Sequence, residues 1–107
     1  MVKHNKLCRT LEERCNKRNN IDSFINIEYG NRKKNVIGEV DVWQIYDKYE
    51  VYFEVKCRNH YKNEHKALQQ TIRWSKHMKQ TEPNKDYYGV YYTPTYVKIL
   101  CKNGNVR

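Results

Sequence analysis

Apolar and polar residues change rhythm several times along this chain, and each rhythm points to an element. Leu7, Leu11 and Cys15 recur every four residues with Cys8 beside them, which predicts a helix over about 3–18 with one narrow apolar stripe. Its other face is basic, with Lys3, Lys6, Arg9, Arg14, Lys17 and Arg18. Asn19-Asn20 stops it, because Asn tolerates the left-handed cap position. Ile25, Ile27 and Tyr29 then alternate, which predicts a short strand over 23–29. The stretch 38–58 reads as a hairpin. Its strands run over about 39–46 and 50–57, both rich in Val, Ile, Tyr and Phe. Asp47-Lys48 supplies the turn between them.

After a polar connection from Arg58 to Lys62, helical spacing returns over about 64–80. Ala67, Thr71, Trp74 and Met78 form one edge, and Leu68, Ile72 and Ser75 the next. Asn63 is placed to cap this helix, and Glu64 suits the positive end of its dipole. Glu82-Pro83-Asn84 ends it. Two further strands are predicted, over 87–92 and 96–101, with Thr93-Pro94 as the turn. Lys102 to Arg107 reads as a loose tail. The order α-β-β-β-α-β-β predicts a single α/β domain over 1–107, with a central mixed sheet flanked by helices. At 107 residues and 38% hydrophobic content, its core must be economical. Ten tyrosines carry much of the apolar area; some could stack on unpaired bases, though at strand spacing tyrosines more often pack a sheet.

The hairpin carries the candidate chemistry. By strand alternation Glu39 and Asp41 point the same way, as do Glu54 and Lys56. In the simplest register three carboxylates and one ammonium converge. Two carboxylates 4–5 Å apart repel by about 3–4 kcal/mol at an effective dielectric near 20. A hard divalent cation would offset that repulsion, since Mg²⁺ takes oxygen ligands and often only one or two carboxylates. Glu and Lys alternating on a strand also describe a solvated face with cross-strand ion pairs.

Glu39-x-Asp41, a gap of twelve residues, then Glu54-Val55-Lys56 resembles the PD-(D/E)xK nuclease superfamily. Its small members include archaeal and viral Holliday junction resolvases. Val40 stands where a Pro often precedes the Asp, and the match covers the central half of the chain. The resemblance implies a restriction-endonuclease-like core. It implies Mg²⁺ or Mn²⁺ held by Asp41 and Glu54, Lys56 positioning the attacking water, and Glu39 as an additional nearby acid. Family members often add an acid from the first helix, for which Glu12 and Glu13 are the candidates; Glu13 also lies four residues before Lys17, an ordinary stabilising helix pair. In the second helix the family often has a Gln followed four residues later by an aromatic, and Gln70 with Trp74 matches that spacing. The implied activity is metal-dependent DNA endonuclease action, structure-selective and resolvase-like, on a homodimer. A single-strand or nicking nuclease is the near alternative, and a non-catalytic nucleic-acid-binding module the alternative of another class.

Charge agrees with a polyanionic partner. The formal net charge is +9. Arg32, Lys33 and Lys34 make the densest basic loop, just before the acidic hairpin, and with Arg58 and Arg73 are the candidates for gripping DNA phosphates, branched, duplex or single-stranded. No basic amphipathic helix with a strong apolar face suits a membrane surface, and no apolar run spans a bilayer. The first residues lack a secretory apolar core, which points to the cytoplasm, that of a host cell if the source is viral. Cys8, Cys15, Cys57 and Cys101 form no CxxC pair. Cys57-x-x-His60 with His65 is the best zinc candidate. It lacks a well-spaced fourth ligand, unless Cys101 comes near.

Overall fold

The β-branched and aromatic runs form strands where their rhythm predicts them. In the computed structural model these are β1 (Asp22–Gly30), β2 (Val36–Ile45), β3 (Tyr49–Val55), then α1 (Tyr61–Thr81), β4 (Asp86–Thr93), β5 (Tyr96–Lys102) and β6 (Asn105–Val106). The structure describes residues 22–30, 36–58 and 60–107, together with His4, Lys6, Cys8, Arg9 and Leu11. Those five N-terminal residues are helical, as the apolar stripe predicts. Glu12, Glu13, Cys15 and the basic loop of Arg32, Lys33 and Lys34 lie outside the described residues.

The six strands form one mixed sheet in chain order. β1–β2, β2–β3, β4–β5 and β5–β6 pair antiparallel, while β3 and β4 run parallel. A parallel neighbour requires a crossover, and α1 supplies it. Tyr52, Tyr87, Val40 and Tyr29 meet Trp74 of α1 in one cluster. Cys8 and Leu11 cover the other side, in a cluster with Val42 and Val55. The sheet is therefore clad on both faces, the layering expected of an α/β domain.

Two ends differ from the sequence expectation. His60, not Asn63, caps α1: its backbone is extended and its Nδ1 accepts from Lys62 N at 3.2 Å. Asn63 is already helical and donates from its side chain to Arg58 O. The C-terminal residues are no loose tail either. Asn103 (φ 53°) and Gly104 (φ 85°) both take positive φ, the two-residue turn that matches strand twist, and β6 folds back on β5.

Close approach of α1 to the sheet depends on Gly89. A Cβ there would lie 2.2 Å from Thr71 Cβ and 2.7 Å from Cys101 Sγ.

Candidate active site

The acids meet where β2 and β3 stop pairing. The β2–β3 ladder runs from Ile45–Glu50 to Val42–Phe53 and ends there. Beyond it the Asp41 carboxylate takes over, accepting from Val55 N at 2.9 Å. A side chain thus fills a ladder position, lies between the strands, and is fixed by a backbone donor.

This placement changes the phase of β2. Val40 belongs to the cluster with Trp74, whereas Val42, two residues on, belongs to the opposite cluster with Cys8. Strict alternation would put them on one face. The phase shift at Asp41 corrects the expectation that Glu39 and Asp41 point the same way. With Val40 turned to α1, Glu39 turns outward and is exposed. Glu39 reaches the site through its backbone: its carbonyl accepts from the Tyr52 hydroxyl at 3.0 Å.

Glu54 is the centre of the cluster, at 4% exposure. The Tyr52 hydroxyl donates to its Oε2 in a short hydrogen bond. Lys56 Nζ lies 3.4 Å from its Oε1. The Gln70 amide, with its nitrogen turned to the carboxylate, donates to Oε1 at 3.1 Å and Oε2 at 3.2 Å. The opposite orientation would set the amide oxygen against the carboxylate. Gln70, chosen over Gln69 on helical spacing, is therefore the one beside the acids; Gln69 meets His65 instead.

Electrostatics decide what the cluster lacks. Burial, then the Asp41 charge, pushes the Glu54 carboxyl up to about 7. The Tyr52 hydrogen bond and Lys56 pull it down, but less. The ammonium and the hydroxyl thus leave net repulsion between two carboxylates. Burial pushes the neighbouring Cys8 thiol up to about 12, and the charges of Asp41 and Glu54 add to this. The Tyr52 phenol is raised by burial and then by Glu54.

His4 is a site residue that sequence reasoning missed. Its Nε2 lies 3.3 Å from Asp41 Oδ2. Its signal was helical spacing, which puts it on the same face as Leu7, Cys8 and Leu11. Tyr52 was missed too, although strand alternation puts it on the same face as Glu54. Of the phosphate-gripping candidates, Arg58 and Arg73 are both exposed.

The zinc candidates do not gather. His60 caps α1, His65 meets Gln69, and Cys101 is buried against Thr71 and Ser75. Among the described residues no group of three or more His, Cys, Asp or Glu is set to hold a metal ion. A metal at this site would rest on the Asp41–Glu54 pair, with water and substrate oxygens completing its shell, which is within the habit of Mg²⁺. Surface grooves of about 250 and 550 Å³ open elsewhere, beside Tyr61 and His65 at the start of α1. A second buried acid, Glu50, is satisfied structurally by Trp43 Nε1 at 2.8 Å and Lys85 Nζ at 3.1 Å. No helix among the described residues is long and apolar enough to cross a membrane. Comparison with family models, with curated proteins and with solved structures found no match to this chain.

Proposed function

We propose that this protein is a metal-dependent nuclease that hydrolyses phosphodiester bonds in DNA. The observation that carries the reading is the pairing of Asp41 with a buried Glu54 whose ionisation is disfavoured, chiefly by burial and by Asp41. Two carboxylates in that state fit a hard dication such as Mg²⁺ or Mn²⁺, which would supply the missing positive charge and polarise a phosphate and a water. Asp41 and Glu54 are the residues that would hold it. Val55 N fixes Asp41, and Tyr52 and Gln70 fix Glu54, so neither carboxylate needs to reorganise on binding. Lys56 sits beside Glu54 Oε1, where an ammonium can orient a water for in-line attack and balance charge on the phosphate. Glu39 has no part through its carboxylate in this arrangement.

Within that class we favour a structure-selective enzyme acting on branched DNA as a homodimer, in the cytoplasm. The net charge of +9 and the family resemblance of the hairpin support it. Among the described residues Cys8, Cys57 and Cys101 are free thiols. A nucleic-acid-binding module without catalysis is the second reading, favoured by one observation: Lys56 and His4 already lie against Glu54 and Asp41.

The test is incubation of the protein with branched, duplex and single-stranded DNA in Mg²⁺, Mn²⁺ or EDTA. Cleavage is expected with either metal and not in EDTA. Asp41→Asn, Glu54→Gln and Lys56→Ala should each lose about 100-fold or more in rate while binding DNA. Cleavage that survives in Asp41→Asn sinks the metal assignment. A wild type that cuts none of the three substrates hands the case to the binding module.

A further inference from the structure

On the face of α1 that carries Gln70, the next residues along are Arg73 and His77. They lie over β1 and β2. The His77 ring meets Tyr29, with centroids 5.6 Å apart. The Arg73 guanidinium lies on Gly38: a Cβ there would stand 3.2 Å from Arg73 Nη2, 3.0 Å from Tyr29 Cε1 and 3.1 Å from Tyr29 Oη. Tyr29 and Gly38 are partners across the β1–β2 ladder. A bare backbone at 38 is what lets the phenol and the guanidinium share one spot.

Three features give that spot an affinity for anions. Arg73 is exposed, and no carboxylate of the described residues pairs with it. Tyr29 is 7% exposed, and its buried hydroxyl has no hydrogen-bond partner among the described residues. A buried hydroxyl left unpaired is unfavourable, so a site keeps one when a ligand completes it. Glu28 and Glu39 occupy the next rung of the ladder and by alternation project from its other side.

We propose that Arg73, His77 and Tyr29, around the bare backbone at Gly38, bind a phosphodiester group of the substrate strand next to the one cleaved. The adjacency rests on the nuclease reading; the anion site itself does not. Arg73 is three residues from Gln70, about 4.5 Å along the helix axis, close to the ~3.4 Å that one nucleotide advances along a duplex. The guanidinium offers a planar fork to two phosphate oxygens. As its exposed side chain turns outward with the phosphate, the Tyr29 hydroxyl gains an acceptor. His77, one turn on, adds a third donor.

Binding of a labelled single-stranded oligonucleotide, read by anisotropy in EDTA over a range of salt, tests this without any cleavage. Arg73→Ala should weaken binding about tenfold and reduce the salt slope by about 0.7, the share of one phosphate. Tyr29→Phe should weaken it about threefold with a Tm no lower than wild type, because the hydroxyl has no partner to lose in the free protein. Lys48→Ala, which removes an equal charge from the β2–β3 turn, should leave the slope alone. The proposal is overturned if Arg73→Ala behaves like Lys48→Ala, or if Tyr29→Phe binds like wild type. It is equally overturned if Arg73→Ala loses affinity for inorganic phosphate but keeps the wild-type oligonucleotide slope, since the spot would then serve free phosphate. Because nothing is cut, a protein that proves inactive on all DNA can still show the subsite. Conversely, cleavage with unaltered Arg73→Ala binding removes the subsite and leaves the nuclease.

Discussion

Glu54→Gln separates a built metal site from an ordinary strand glutamate, because the two make opposite predictions for stability against pH. A folded carboxyl raised above its unfolded value binds more protons in the folded state. Its stabilising contribution is complete below about 4.5 and lost as pH rises through about 7. That displacement corresponds to about 3 kcal/mol, an order-of-magnitude figure for a group this buried. For a chain of this size it amounts to about 13 °C in Tm. Wild type in EDTA should therefore lose stability between pH 5 and pH 8. Glu54→Gln replaces the ionisable group with an amide that can still meet Tyr52, and should flatten most of that loss. Asp41→Asn, which removes the second cause of the shift, should flatten part of it. Wild type and Glu54→Gln share every other ionisable group, so the difference between their curves isolates Glu54. Thermal melts at several pH values suffice. Coincident curves for wild type and Glu54→Gln refute the argument that these carboxylates strain one another. Mg²⁺ should reverse the sign: it competes with the proton at Glu54, so its stabilisation of wild type should grow from pH 5 to pH 8 and vanish in Glu54→Gln.

Further outcomes follow from single contacts. Trp74 is fully buried, edge-on to Trp43, Tyr52 and Tyr87, so Trp74→Ala should cost about 3–5 kcal/mol by denaturant melt, a large part of a small domain's stability. Gly89→Ala drives a methyl into Thr71 and Cys101 and should cost about 3 kcal/mol, seen as a lowered urea midpoint. Tyr52→Phe removes the donor that fixes Glu54 and should weaken the Mg²⁺-dependent Tm shift while leaving the fold intact by circular dichroism.

The elements were legible because their residues leave little choice. Tyr49 to Val55 is a run of β-branched and aromatic residues too short for a helix, and Ala67, Thr71, Trp74 and Ser75 fall on one helical face and are the buried residues of α1. The parallel pairing of β3 with β4 is different. No local pattern encodes it; it follows once α1 is long enough to cross the sheet. Asn103-Gly104 was a readable hairpin signal that a final strand of only two residues obscured.

The candidate site was half legible, and the reason is geometrical. Glu54 and Lys56 could be read from spacing because β3 keeps its two faces apart, Tyr52 packing on the α1 side and Phe53 and Val55 on the other. Glu39 and Asp41 could not, because β2 does not: Asp41 leaves its face of the strand to accept from Val55 N. That departure follows from the end of the β2–β3 ladder at Val42–Phe53, since the parting strands would otherwise leave the Val55 N–H without an acceptor. The same contact that satisfies the backbone brings Asp41 to Glu54. An isolated Glu-Val-Lys on a continuous ladder would be a solvated face with cross-strand ion pairs. On a ladder that opens beside it, with an aspartate lodged in the opening, the same three residues meet a second negative charge that Lys56 does not cancel. The chemistry proposed for this chain thus depends on where two strands part, a property of the pair that neither strand encodes by itself.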